Sequence, residues 1–289
     1  MFPFQDYVLS VPYALGAVQR MRFNQMSLVG QLLGMFGKKI VFQSEYNELI
    51  SQRIDVARLR KIQQISQESS NSDLSYFLVT HAADSHAQQL QDLLAAYFSK
   101  FKPGYFVEFG ATDGIDLSNT FLLEERYGWN GIVAEPAKLW HKNLYENRNC
   151  SISKDCVYSV SGQELVFSEA TSGKLSTLNK YVNSDGHVRE SLSEYSVRSV
   201  SLEDLLHQFQ APSFIEFLSV DTEGSEFEII RNFDFNKYEF GFICIEHNHT
   251  ENDQKIESLL KQNGYTRILK ESSDFDGWYL NSNLFKEFP

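Results

Sequence analysis

From residue 105 onward one pattern recurs: a short apolar, β-prone run, a polar turn, then a helical stretch. The runs fall at 105–109, 131–134, 151–157, 214–220 and 242–245. Helical stretches at 119–126, 138–147, 224–232 and 253–263 separate them, and one more opens at Ser201, an N-cap with Glu203 and Asp204 in its first turn. Parallel strands need crossover connections, so strand alternating with helix predicts a parallel sheet covered on both faces. Gly264 stands where a helix C′ residue is expected, and the two last runs, 265–269 and 278–280, have no helix between them. They are therefore expected to pair antiparallel, which gives a mostly parallel sheet with one reversed strand. Two shorter strands, 165–168 and 196–200, are expected around a Ser/Gly/Asn-rich loop at 171–191, and a helix at 85–99 leads into the Pro103-Gly104 turn.

The first part of the chain reads differently. Residues 1–62 carry apolar residues at helical spacing, such as Leu49, Ile50, Ile54 and Leu59, and predict two or three helices. Residues 63–74 are polar and Ser-rich and read as a linker. The expected division is a helical extension over 1–75, serving oligomer contacts or a lid, and an α/β domain over 76–289. Charge divides the same way: 8 Lys/Arg against 4 acids make residues 1–62 +4, so a chain of net charge −12 leaves −16 for the remainder.

That acidity argues against a nucleic-acid partner, whose phosphates call for the opposite sign. With 23 Phe, 14 Tyr and 42% hydrophobic residues, the chain has the material for a core rather than for disorder. The apolar stretch 8–18 is too short to cross a bilayer and is broken by Pro12 and Gly16. Three cysteines, Cys150, Cys156 and Cys244, form no C-x-x-C pair. A reduced, cytoplasmic protein with no membrane span is the expectation.

In open α/β sheets ligands bind beyond the carboxyl ends of the strands. After the first run comes Gly110-Ala111-Thr112-Asp113-Gly114, preceded by Glu108. Glycines there let the backbone turn and approach a ligand, although a plain structural turn reads equally well. After the second comes Glu135-Pro136; an acid about 20 residues past a glycine turn is placed to take two ribose hydroxyls. Asp221 follows the fourth long strand, and Glu246-His247 the fifth. If those strands are neighbours, Asp221, Glu246 and His247 converge as oxygen and imidazole ligands for a divalent cation such as Mg²⁺ or Mn²⁺. Glu223 and Glu226 read instead as helix caps or surface acids.

Three blocks in order carry a family resemblance. Residues 106–114 (FVEFGATDG) are followed by Ser118-Asn119-Thr120 and by 128–136 (GWNGIVAEP). Residues 217–226 (FLSVDTEGSE) contain a D-x-E-G-x-E block, and Ile245-Glu246 ends the next strand in an acid. Together they resemble the FkbM family of S-adenosylmethionine-dependent methyltransferases, over roughly residues 100–283. Thr112 stands where that family more often has Asn.

The resemblance implies a class I methyltransferase (Rossmann-like) fold: seven strands, mostly parallel, with the last antiparallel. It implies S-adenosylmethionine as cofactor, with Gly110, Ala111 and Gly114 facing its methionine part. Glu108, Asp113, Ser118 and Asn119 would lie nearby, Glu135 and Pro136 at the ribose, and Asp155 and Cys156 at the adenine. It also implies O-methylation of a sugar, glycan or other small-molecule alcohol. The ion, held by Asp221, Glu246 and His247, would activate the hydroxyl. A metal-free alternative makes Asp221 or His247 the general base. A non-catalytic nucleoside-binding module is the reading of a different class. The glycine spacing and the D-x-E-G-x-E block argue against a nicotinamide oxidoreductase.

Overall fold

A computed structural model of the chain describes residues 56–189 and 192–285. Helices expected before residue 56 lie outside the described residues. The linker expected at 63–74 is instead helical: α1 spans Val56–Ser69 and α2 Ser72–His81. Tertiary packing overrides the weak helix propensity of the serines, because α1 buries Leu59, Ile62 and Ile65 on one face. Asn71 starts α2 by accepting a hydrogen bond from the Leu74 N–H at 2.9 Å. The helix expected over 85–99 is shortened to α3, Gln91–Phe98. Residues before it form a turn around buried Asp92, which accepts from the Ser85 hydroxyl and the His86 and Ala87 N–H groups.

The strands and helices then follow in the expected alternation: β1 Tyr105–Phe109, α4 Phe121–Tyr127, β2 Asn130–Ala134, α5 His141–Asn147 and β3 Ser151–Ser153. The single third strand expected at 151–157 is two strands in different sheets. Pairing of β3 with β2 ends at Ala134↔Ser153, with the Glu135 N–H donating to the Ser153 carbonyl at 3.0 Å. The chain leaves as β4 Cys156–Tyr158, then β5 Glu164–Glu169, β6 Thr177–Leu178 and β7 Ser193–Ser201, which form a four-stranded sheet in the order β4-β7-β5-β6. After it come α6 Leu202–Gln208, β8 Phe214–Val220, α7 Glu226–Ile230, β9 Glu239–Glu246, α8 Asn252–Gln262, β10 Tyr265–Ile268 and β11 Asp276–Asn281. Ser201 caps α6 through the Asp204 N–H, and Gly264 follows α8 at φ +85°, both as expected.

The main sheet has seven strands in the order β10-β11-β9-β8-β1-β2-β3. All run parallel except β11, which is antiparallel to both neighbours. Side chains alternate across a strand, so Phe106 and Val107 enter different cores. Phe106 joins Phe217, Phe242 and Trp278 under α1–α4, where Leu59, Ile62 and Leu94 meet them. Val107 joins Ile132, Leu218 and Ile243 under α6–α8, against Leu205 and Ile256. Helix α1 thus packs into the main core. Among the described residues no helix is long and apolar enough to cross a membrane.

Candidate active site

The tips of β1 and β8 meet at Gly110. Its φ is +79°, and a Cβ there would stand 2.0 Å from the Asp221 carbonyl oxygen, so only glycine fits. The Asp221 N–H donates to the Phe109 carbonyl at 3.3 Å, and the Gly110 N–H to Ala134 at 3.1 Å. Gly114 turns at φ +86° against the Arg148 side chain. Arg148 is buried and donates to Glu124, to the Thr120 hydroxyl and to the Gly114 carbonyl, with Glu108 at 3.5 Å.

Glu108 in turn accepts from the Ser118 hydroxyl at 2.9 Å, the Asn119 N–H at 2.6 Å and the Thr120 hydroxyl. Its carboxylate holds the turn together from beneath. Asp113 likewise closes a local turn, accepting from the Ile115 and Asp116 N–H groups.

Beyond these tips lies a cavity of about 420 Å³. Of the residues expected at the cofactor, Gly110, Asn119, Glu135, Pro136 and Cys156 form its wall. Glu108, Ala111, Asp113, Gly114, Ser118 and Asp155 stand behind the wall or off it. Glu135 is buried, and its two oxygens accept from the Thr112 N–H at 2.9 Å and the Ala137 N–H at 2.8 Å. Desolvation pushes its carboxyl up to about 7, against the pull of those two hydrogen bonds. In the loop expected at 171–191, Lys174 and His187 reach the wall, whereas Lys180 lies over the rings of Tyr158 and Tyr181.

The opposite end is acidic. Asp221, Glu223 and Glu246 each offer an oxygen within 4.8 Å of the others. Burial raises the Asp221 and Glu246 carboxyls well above the ordinary range, and the neighbouring carboxylates raise them further. Glu223 is pushed to about 7 by desolvation, although it pairs with Arg189 at 2.9 Å. Glu226, expected as a helix cap or a surface acid, is neither: it is buried and braces the turn before α7, accepting from the Thr222 and Gly224 N–H groups, while α7 has no side-chain cap.

The structure does not bring His247 to this cluster. Glu246 ends β9 and His247 is the next residue, held by its N–H on the Phe275 carbonyl at 2.8 Å, so their side chains leave the chain on opposite sides. The His247 Nδ1 accepts from the His249 N–H at 3.1 Å, while Nε2 lies 3.1 Å from Arg267 and 3.5 Å from Asp253. Glu223 occupies the third position instead.

Sequence reasoning passed over Gln88, Gln91, Phe275 and Asp276, all on the cavity wall. Asp276 pairs across the ladder with Glu246. Its Oδ2 accepts from Gln91 Nε2 at 2.8 Å and Trp278 Nε1 at 3.3 Å, and burial pushes its carboxyl up to about 6. A signal existed: a reversed strand begins at the edge where the parallel strands end, so its first residue belongs at the ligand edge.

Fold and site define a mixed α/β protein whose cavity opens at the carboxyl edge of a mostly parallel seven-stranded sheet. The Methyltransferase FkbM domain profile matches residues 108–267, more than half of the chain, and the chain belongs to that family of methyltransferases. Such methyltransferases generally use S-adenosylmethionine. Among solved structures, that of Methyltransferase FkbM from Methylobacillus flagellatus KT is similar at 11% identity and a TM-score of 0.39. The alignment covers 77% of this chain and 58% of that one, so the chain spans little more than half of that protein's length. No curated protein sequence matches the chain.

Proposed function

We propose that this protein transfers a methyl group from S-adenosylmethionine to a hydroxyl of a sugar, glycan or other small alcohol. The observation that carries the reading is the cavity at Gly110, lined by the buried acid Glu135 and by the carboxylates Asp221, Glu223 and Glu246. Buried orphan atoms support occupancy by ligands that donate or carry positive charge: Asn119 Oδ1 and Glu246 Oε2 have no hydrogen-bond partner. The cofactor supplies an electrophilic methyl carbon on a sulfonium. Gly110 lets the backbone approach it, Asn119 Oδ1 suits an ammonium donor, and Glu135 suits ribose hydroxyls.

The donor set Asp221, Glu223 and Glu246 is all oxygen, which suits Mg²⁺ or Mn²⁺. A divalent ion there would lower the pKa of a substrate hydroxyl. The chain's own contribution is to hold the hydroxyl in line with the methyl group and to take its proton on Asp221 or Glu246. The metal-free reading draws support from the closeness of the buried Asp221 and Glu246 carboxyls, both raised well above the ordinary range, either of which can act as base.

Calorimetry with S-adenosylhomocysteine tests the methyl-transfer reading; NADH binding in its place would sink it. Dialysis against EDTA separates the two mechanisms, since full activity afterwards removes the ion. Methyl transfer to any alcohol in a panel of sugars and glycans removes the non-catalytic reading. Of the extension expected over 1–75, α1 belongs to the core; the residues before it are proposed to add contacts between copies or a lid. The unpaired thiols of Cys150, Cys156 and Cys244 suit a cytoplasmic setting.

A further inference from the structure

Residues 175–189 are fastened to the acidic cluster by one buried side chain. Arg189, its side chain 1% exposed, engages every N–H of its guanidinium. Nε donates to the Leu175 carbonyl at 2.9 Å and Nη1 to the Val182 carbonyl at 3.0 Å. Asp185 takes a bidentate pair at 2.8 Å and 2.7 Å, and Nη2 also reaches Glu223 Oε2 at 2.9 Å. Against desolvation, hydrogen bonds from Arg189 and the His187 N–H hold the Asp185 carboxyl below its ordinary range, so Asp185 neutralises the guanidinium. A carboxylate offers about four lone-pair sites, so Glu223 can keep Arg189 and still face an ion.

The same segment grips Glu223 through its backbone. Glu223 stands at φ +59°, a left-handed conformation that a non-glycine residue holds at a cost. The Thr177 hydroxyl donates to its carbonyl at 2.9 Å. Gly224 turns at φ +121° against Tyr181 and Ser184; a Cβ there would stand 2.6 Å from the Ser184 hydroxyl oxygen. Leu175, Ser176, Leu178 and His187 of this segment line the cavity. Glu246 Oε2, on a wall residue 7% exposed, has no hydrogen-bond partner, so the cluster lacks a donor or a cation.

We propose that Arg189 is the positioning residue of this site: by holding Glu223 within reach of Asp221 and Glu246, it couples cation binding to the seating of residues 175–189 over the cavity. This rests on the ion-assisted reading and adds a regulation to it. The wall formed by this segment is firm only when the ion is bound. Ligating carboxylates are themselves fixed by outer hydrogen bonds. Coupling is reciprocal, so whatever factor the seated segment adds to ion affinity, the ion returns to the segment.

The test follows free Mn²⁺ by electron paramagnetic resonance on the full chain. Arg189→Met is expected to weaken Mn²⁺ binding about tenfold. In a Glu223→Gln background the same substitution should cost no more than about twofold, because Arg189 acts through Glu223. A merely structural role would cost the same in both backgrounds. The Val182 and Ser184 amides donate to the Asn179 and Tyr181 carbonyls. Saturating Mg²⁺ is expected to slow their hydrogen exchange at least about threefold in the wild-type chain and not in Arg189→Met. Unchanged Mn²⁺ affinity in Arg189→Met, equal losses in the two backgrounds, or exchange indifferent to Mg²⁺ overturns the proposal. If the variant does not fold, exchange on the wild-type chain decides alone. Absence of Mn²⁺ binding by the wild-type chain would overturn the ion reading itself and this proposal with it, so the two failures are distinct.

Discussion

Gly110 and Asp221 meet so closely that a single methyl group on Gly110 would lie 2.0 Å from the Asp221 carbonyl oxygen. This contact joins the tips of β1 and β8 and thereby sets the glycine turn against the acidic cluster. Gly110→Ala combines a strained positive φ with a backbone clash. It is expected to cost on the order of 3 kcal/mol in urea denaturation. S-adenosylhomocysteine affinity is expected to fall at least about a hundredfold. A variant with wild-type affinity would mean that the turn does not border the cofactor.

Glu135 makes binding pH-dependent. Its carboxyl sits near 7 in the folded chain against an ordinary 4.5, so the folded state holds more protons between those values. Stability contributed by this group therefore falls as pH rises from about 4.5 to 7 and is level above, by up to about 3 kcal/mol. The ribose hydroxyls proposed to sit here would donate to the ionised form, so S-adenosylhomocysteine affinity should rise over the upper part of that window. Glu135→Gln should flatten both profiles, as thermal melts and calorimetry across pH would show.

The third ligand of the proposed ion is Glu223, not His247. Free Mn²⁺ followed by electron paramagnetic resonance should show binding weakened at least about tenfold by Asp221→Asn and by Glu223→Gln. His247→Ala should leave Mn²⁺ affinity within about threefold, since its ring faces Arg267 and Asp253. The reverse ranking would return the ion to the imidazole.

Helix α1 is part of the core although the family profile does not reach it. Ile62 and Ile65 are fully buried there. Replacing either by Ala should cost about 3 kcal/mol in denaturation, whereas an appended helix would register almost nothing. Glu68 extends the same attachment by accepting from the Glu271 and Ser272 N–H groups. Glu68→Ala should speed hydrogen exchange at those two amides.

Much of this was legible residue by residue. The alternation of apolar runs and helices, the Ser201 cap and the Gly264 terminus depend on local preferences, and the structure keeps them. The linker reading at 63–74 failed because a helix rich in serine is stabilised by what it packs against rather than by its own composition. The strand at 151–157 was misread as one, since nothing local announces that its two halves pair with different partners.

The sequence by itself determined the order of strands and helices, the reversed final strand, and the acids at the tips of β2, β8 and β9. Those follow from short-range chemistry: periodicity, caps and turn residues. Only the tertiary structure decided which acids face one another. It turned His247 away and brought in Glu223, because side chains alternate on a strand. It placed Asp276 beside Glu246, because an antiparallel strand starts where its neighbours end. It set Glu108 beneath the turn rather than on the cavity, because buried Arg148 and the residues at 118–120 claim its oxygens.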